Sequence, residues 1–243
     1  MTIYDDNFYF EQRDGSYESA KIILEYLFSI ISPKSIIDVG CGVGTWLKVV
    51  MDLGINDVTG IDGLYVNKNL LLIPESKFIP MDLTSPTPLG RTFDLVISVE
   101  VAEHLPKKNA ENFIQHLTSL APIVLFSAAI PKQGGTNHLN EQWQDYWADI
   151  FTQNKFLPID CIRSKVWDNL KVDWWYAQNC ILFVQKDYVS NNKILTDLLN
   201  TTDSAQLSVV HPKNYLRALK CATIPNMIKS RIKQLYDSLM INI

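Results

Sequence analysis

The chain has 243 residues, 47% of them hydrophobic and 20% charged, which is enough to bury the core of one large α/β domain with an appendage and too apolar for a disordered chain. A net charge of −4 argues against a broad basic face for nucleic acid. Cysteines stand at 41, 161, 180 and 221 without a Cys-x-x-Cys pair, so neither a disulfide framework nor a zinc site is expected, and reduced thiols in a cytoplasm fit best.

The N-terminus lacks the basic and apolar regions of a signal peptide. No run approaches the roughly 18 apolar residues of a membrane span, so a soluble chain without a transmembrane segment is expected. Residues 1–16 are polar and aromatic, with Tyr4, Phe8, Tyr9 and Phe10 among acids. Gly15-Ser16 predicts a turn and cap before a helix with Ala20, Ile23, Leu24, Leu27 and Ile31 on its apolar face, and Pro33 ends it.

Residues 36–47, Ile-Ile-Asp-Val-Gly-Cys-Gly-Val-Gly-Thr-Trp-Leu, read as strand, tight turn and helix. The helix continues at the spacing of Trp46, Leu47, Val49, Val50 and Leu53. Glycines here permit positive φ and a close ligand, and the helix N-terminus beyond offers free N–H groups to an anion. A turn that only joins strand to helix is the plainer alternative. Further strands are predicted at 57–61, 77–81, 93–98, 122–129, 157–164 and 179–186, and a helix at 107–120 with Ala110, Phe113, Ile114 and Leu117 on one face. Alternating strands and helices imply a parallel sheet covered on both sides. Loop signals at 190–192 and 200–203 place the end of this domain near residue 188.

Asp62 and Asp82 close the second and third strand runs, where an acid can accept hydrogen bonds from ribose hydroxyls. Together with Asp-Val-Gly-Cys-Gly-Val-Gly at 38–44, these residues resemble the S-adenosylmethionine (SAM) site of class I methyltransferases. The Gly-x-Gly-x-Gly spacing departs from the dinucleotide fingerprint of dehydrogenases. The resemblance implies an α/β, Rossmann-like fold with a mostly parallel seven-stranded sheet, helices on both faces and an antiparallel last strand. It also implies a SAM-dependent methyltransferase whose cofactor meets Asp38, Gly40, Cys41, Gly42, Gly44, Asp62, Gly63, Asp82, Leu83 and Glu100. Residues 1–34 are then a lid and helix, 35–188 the methyltransferase domain and 189–243 a helical, basic extension.

The fourth strand runs into Val99-Glu-Val-Ala-Glu-His-Leu-Pro106, which places Glu100, Glu103 and His104 at the carboxyl ends of the strands, where α/β sheets bind ligands. Positions i, i+3 and i+4 share one helical face. Three readings stay open. Glu103 and His104 can cap and orient the loop, His104 can act as a general base, or the cluster can hold Mg²⁺ or Mn²⁺, which suit oxygen ligands with imidazole. His138, in Gly134-Gly-Thr-Asn-His-Leu-Asn-Glu-Gln-Trp143, follows the fifth strand and joins the candidate catalytic set of Glu103, His104 and His138. The metal reading takes Glu100, Glu103, His104 and His138 as ligands, because Glu-x-x-Glu-His with a later His before an aromatic helix is similar to the metal-binding arrangement of small-RNA 2′-O-methyltransferases. That helix is predicted from near Asn140, with Trp143, Tyr146, Trp147 and Ile150 turned inward.

Asn137-His-Leu-Asn-Glu-Gln-Trp143 and Val166-Trp-Asp-Asn-Leu-Lys-Val-Asp-Trp-Trp-Tyr-Ala-Gln-Asn179 together resemble bacterial methyltransferases of surface-glycan and sugar tailoring. The resemblance implies O-methylation of a sugar or glycan hydroxyl. Alternatives are N- or O-methylation of another small molecule or an RNA terminus, and a non-catalytic SAM-binding scaffold. Trp143, Trp167, Trp174, Trp175 and Tyr176, interleaved with Asp168, Asn169, Asp173, Gln178 and Asn179, suit the apolar faces and polar edge of a sugar ring. Aromatic packing between strands is the structural alternative. The acidic body argues against a nucleic-acid partner.

Residues 213–243 carry six basic residues against one acid, with Met227, Ile228, Ile232, Leu235 and Leu239 near helical spacing. This stretch is expected to pack on its own chain, to pair two copies as a homodimer, or to lie on the inner membrane surface.

Overall fold

The computed structural model describes the backbone of residues 6–220 and the side chains of 15–220. In chain order its elements are α1 (Asp6–Phe28), β1 (Ser35–Val39), α2 (Thr45–Asp52), β2 (Asp57–Asp62), β3 (Phe78–Pro80), β4 (Leu95–Val99), α3 (Ala110–Leu120), β5 (Ile123–Ser127), α4 (Gln144–Gln153), β6 (Phe156–Ile159), α5 (Arg163–Val166), α6 (Trp174–Asn179), β7 (Ile181–Gln185), α7 (Lys186–Ser190) and α8 (Lys193–Asn200). The seven strands form one sheet in the order β3-β2-β1-β4-β5-β7-β6. β1 to β5 pair in parallel, whereas β7 runs antiparallel to both β5 and β6. The strand order reverses between β1 and β4, which opens a crevice beyond the carboxyl ends of those two strands.

Both faces of the sheet are covered. On one side α1 packs on α2 through Ala20, Ile23, Leu24 and Leu27, with Trp46, Leu47, Val49 and Val50 beneath them. On the other, α3 buries Ala110, Phe113, Ile114 and Leu117, the face expected from their spacing. Phe126, Trp147, Phe151 and Phe183 join this second layer, and the rings of Phe151 and Phe183 stack at 3.8 Å. Strands buried on both faces explain why β1, β4, β5 and β7 read as continuous apolar runs rather than alternating ones.

Four expectations change. α1 runs straight through Gly15-Ser16 instead of starting there. A side chain at Gly15 would meet Asp173 Oδ2 at 2.7 Å, so the glycine serves close packing and not a turn. The helix expected from near Asn140 begins at Gln144, leaving Trp143 as its exposed N-cap while Trp147, Ile150 and Phe151 turn inward. The strand expected at 157–164 ends at Ile159, and the short helices α5 and α6 lie between it and β7. Finally, the first compact unit extends to Val209, past the boundary expected near 188. Val189 of α7 and Leu195 of α8 are buried in its core, and Thr202 Oγ1 accepts a hydrogen bond from Asp160 N at 3.1 Å.

A second unit begins at Val210, and residues 212–220 are helical. The apolar residues Met227 to Leu239, on which the homodimer and membrane expectations rest, lie outside the described residues. No helix among the described residues is long and apolar enough to cross a membrane.

Candidate active site

The glycine loop leaves β1 at the point where the strand order reverses. Gly40, Gly42 and Gly44 all have positive φ (88°, 53° and 87°), the conformation that glycine adopts without steric cost. Backbone bonds shape the turn: Gly40 N and Cys41 N donate to Ile61 O at 2.8 and 3.2 Å, and Gly44 N donates to Cys41 O at 2.8 Å. Gly44 is the N-cap of α2, with no side chain capping that end, so its N–H groups are left for a ligand.

Two buried acids flank the loop. Asp62, ending β2, accepts from Gly42 N at 2.7 Å and Gly63 N at 2.6 Å, and from the hydroxyl of Tyr65. Burial raises its pKa, opposed by those three donors. Asp38, one residue before the end of β1, is raised well above the usual carboxylate range by burial and then by the neighbouring Asp62 charge. Asp82, following β3, is exposed and accepts from Thr84 N and Oγ1, each at 2.8 Å, which lower its pKa. Leu83 beside it is buried, as is Cys41. Tyr65 carried no signal in the sequence: an exposed tyrosine in a loop announces nothing until its hydroxyl is seen on Asp62.

β4 ends in a backbone conformation that is rare for a side-chain-bearing residue. Glu100 has φ 55°, which costs of order 1–3 kcal/mol and persists only when its surroundings hold it. They do so with hydrogen bonds. Glu100 N donates to Ser127 O and Oγ, both at 3.0 Å, Asn179 Nδ2 donates to Oε1 at 3.1 Å, and Gln133 Nε2 donates to Oε2 at 2.9 Å. Gln178 Nε2 in turn donates to Gln133 Oε1 and Asn179 Oδ1, both at 3.0 Å.

This buried amide network corrects two expectations. The Glu100 carboxylate is committed to amides, so Glu100 stands outside the group of possible metal ligands. Gln178 and Asn179, expected at a sugar edge, are buried against Glu100 and Gln133 instead.

The turn at Glu100 folds 101–104 back over the glycine loop. There Glu103, His104 and His138 each bring a ligand atom within 4.8 Å of the other two. The two imidazoles meet edge to face, centroids 5.0 Å apart at 84°. Glu103 is fully buried and neither carboxylate oxygen has a well-formed hydrogen bond. Burial and the Glu100 charge push its pKa well up, against weaker opposing contributions from the Glu103 and Ala129 backbone. Burial and His138 hold His104 down to about 4, although the backbone of Asn137 and Thr136 favours its protonated form. His104 is therefore a neutral imidazole near pH 7. Glu103 O also accepts from Leu139 N and Asn140 N, at 2.8 and 3.0 Å, which ties the two loops together.

The expected aromatic residues divide. Trp143 is 42% exposed and Leu139, beside His138, is 65% exposed. Trp167, Trp174 and Trp175 are half-buried, the last two edge to face at 5.4 Å. Tyr176 is buried edge to face against Trp46 at 5.3 Å, its hydroxyl 3.3 Å from Ser16 Oγ, and so is a core residue rather than a platform for substrate.

A glycine loop at the reversal point, acids near the ends of β1 and β2, and an antiparallel final strand define a nucleoside-cofactor site of the methyltransferase type. A family model described as a methyltransferase domain matches residues 9–178, and the chain belongs to that family. It is a SAM-dependent methyltransferase. The fold is shared with magnesium protoporphyrin IX methyltransferase of Synechocystis PCC 6803 with bound S-adenosylhomocysteine (SAH), at 21% identity and TM-score 0.52 over 72% of this chain and 87% of that one. DesVI of Streptomyces venezuelae matches at 14% identity and TM-score 0.53, over 74% and 96% of the two chains. The methyltransferase domain of bacterial CtHen1-C matches at 17% and 0.51, over 70% and 98%. Identities this low carry the fold and no substrate. No curated protein matches the chain.

Proposed function

We propose that the enzyme methylates a hydroxyl of a sugar or glycan, with Glu103, His104 and His138 acting on that hydroxyl. The observation that carries this reading is the convergence of these three side chains within 4.8 Å, on the segment that turns back over the cofactor loop. Bound SAM supplies an electrophilic methyl group, and the protein's part is mainly to hold the acceptor oxygen in line with it. A neutral His104 can take the hydroxyl proton as the oxygen attacks.

The same three residues fit a divalent cation. A fully buried carboxylate without a good hydrogen bond is costly, and one carboxylate with two imidazoles suits Mn²⁺ or another divalent transition metal better than Mg²⁺, which takes oxygen ligands. Glu103, His104 and His138 would hold such an ion, whose charge would lower the pKa of the attacked hydroxyl. Glu100 orients the loop from behind. For the acceptor, exposed Trp143 offers a flat apolar face next to the polar loop that carries His138, which suits a sugar ring. Half-buried Trp167, Trp174 and Trp175 are the other aromatic candidates.

The test is release of SAH with a panel of sugars, nucleotide sugars and short glycans, run beside an RNA 3′ end and a porphyrin. Turnover confined to sugar-bearing acceptors supports the reading. Turnover with RNA or porphyrin alone overturns it, and no turnover with any acceptor despite SAH binding favours a scaffold.

A further inference from the structure

His138 does not hold its place unaided. The carboxylate of Glu141 gathers three N–H groups from the loop before it. Oε2 accepts from Lys132 N at 2.6 Å, while Oε1 accepts from Gly134 N at 2.7 Å and faces His138 Nδ1 at 2.9 Å. A carboxylate that already accepts two backbone N–H bonds is acting as an acceptor, so the imidazole must be the donor and Nδ1 must carry the proton. In the neutral ring Nε2 then carries the lone pair. On its other side the ring lies against Gly135, where a Cβ would fall 2.2 Å from His138 Nε2. The ring is thus set between an acceptor that fixes its tautomer and a backbone that only glycine keeps open.

We infer that Glu141 is a positioning residue for methyl transfer, holding His138 in its Nδ1–H tautomer with Nε2 available to the acceptor hydroxyl or its cation, and that Gly135 provides the space for that pose. The inference rests on the role given above to His138. Two features give it physical content. The loop contains two non-glycine residues with positive φ, Lys132 at 66° and Asn137 at 58°, so it is held in a conformation it would not adopt alone. The Glu141 carboxylate is the group that closes it, with only part of its surface in solvent.

The experiment uses the full-length protein, ¹⁵N-labelled at histidine, with kcat, KM, SAH affinity and melting temperature measured in parallel. In the wild type, long-range ¹⁵N–¹H spectra should show His138 protonated at Nδ1. Glu141→Ala should lose that signature and reduce kcat about 10- to 100-fold, the range for removal of such a partner, with the KM for SAM and SAH affinity unchanged. Glu141→Gln, which keeps one acceptor oxygen on the same stem, should recover part of both. Gly135→Ala should displace the ring and lower kcat with Glu141 intact.

A His138 protonated at Nε2 in the wild type overturns the inference. So does a Glu141→Ala enzyme whose activity falls only in step with its melting temperature while the tautomer persists. Should the tautomer follow Glu141 while His138→Ala remains fully active, the positioning stands and the catalytic reading of His138 fails.

Discussion

Val101 lies so close over Gly40 that a Cβ on the glycine would come within 2.4 Å of Val101 Cγ2. The contact joins the cofactor loop after β1 to the segment after β4 that carries Glu103 and His104. One glycine thereby serves two purposes, a positive φ in the turn and a floor for the segment that carries Glu103 and His104.

Gly40→Ala should therefore damage both. A left-handed alanine costs about 1–2 kcal/mol before any clash is counted, so SAH affinity should fall about tenfold or more and the melting temperature by several degrees. Titration calorimetry and a melting curve measure the two effects. Adding Val101→Ala should restore part of the binding, because it removes the clash and not the φ penalty; a double variant no better than the single one would show that Val101 is not the obstacle.

An Asp38 that meets the cofactor's ammonium would make cofactor binding depend on protons. Its pKa in the folded protein is raised, chiefly by burial and then by Asp62. A raised carboxylate pKa means that the folded chain holds the proton more tightly than the unfolded one. The stability this provides is full below the ordinary carboxylate range and is lost as pH rises through the folded value. A cation placed beside Asp38, such as the ammonium of SAH, favours the carboxylate. Binding should then release a proton, and the calorimetric heat should vary with the ionisation enthalpy of the buffer. Asp38→Asn should abolish that variation. A wild-type heat that is the same in every buffer would contradict the assignment.

The acid–histidine cluster makes a prediction about metal. Activity should fall on exhaustive EDTA treatment and return with Mn²⁺ or another divalent transition metal more readily than with Mg²⁺, while His104→Ala and His138→Ala should each lose about 100-fold or more in kcat with no rescue by these ions. Glu103→Gln should fold with unchanged or higher melting temperature, since it removes a buried carboxylate without a well-formed partner. Full activity in EDTA together with an inactive His104→Ala would leave His104 as a base working without a cation.

Trp143 and Tyr176, both aromatic residues in candidate substrate stretches, should behave in opposite ways. Trp143→Ala removes an exposed ring and should raise the KM for the acceptor about 2- to 10-fold, the range of an aromatic stacking contact, at unchanged melting temperature. Tyr176→Ala empties a buried site against Trp46 and should cost about 3–5 kcal/mol of stability. An acceptor KM that Trp143→Ala leaves unmoved would send the search for the sugar face to Trp174 and Trp175.

What the sequence determined by itself was local. The glycines of 40–44, the apolar face of α3 and the acids near the ends of β1 and β2 announce themselves, because turn chemistry and helical or strand period act over a few residues. Alternating strands and helices with that loop also implied the sheet and its cofactor. Only the tertiary structure decided which side chains point at one another. Glu100 and Glu103 look equivalent in Glu-x-x-Glu-His, yet Gln133 and Asn179, from distant parts of the chain, draw Glu100 into an amide network and leave Glu103 with the two imidazoles. Glu141 is a polar residue before a helix until the loop brings Lys132, Gly134 and His138 onto its carboxylate. Tyr176 resembles its tryptophan neighbours until α6 sets it against Trp46. Burial and hydrogen-bond direction are properties of neighbours far apart in the chain, and no periodicity encodes them.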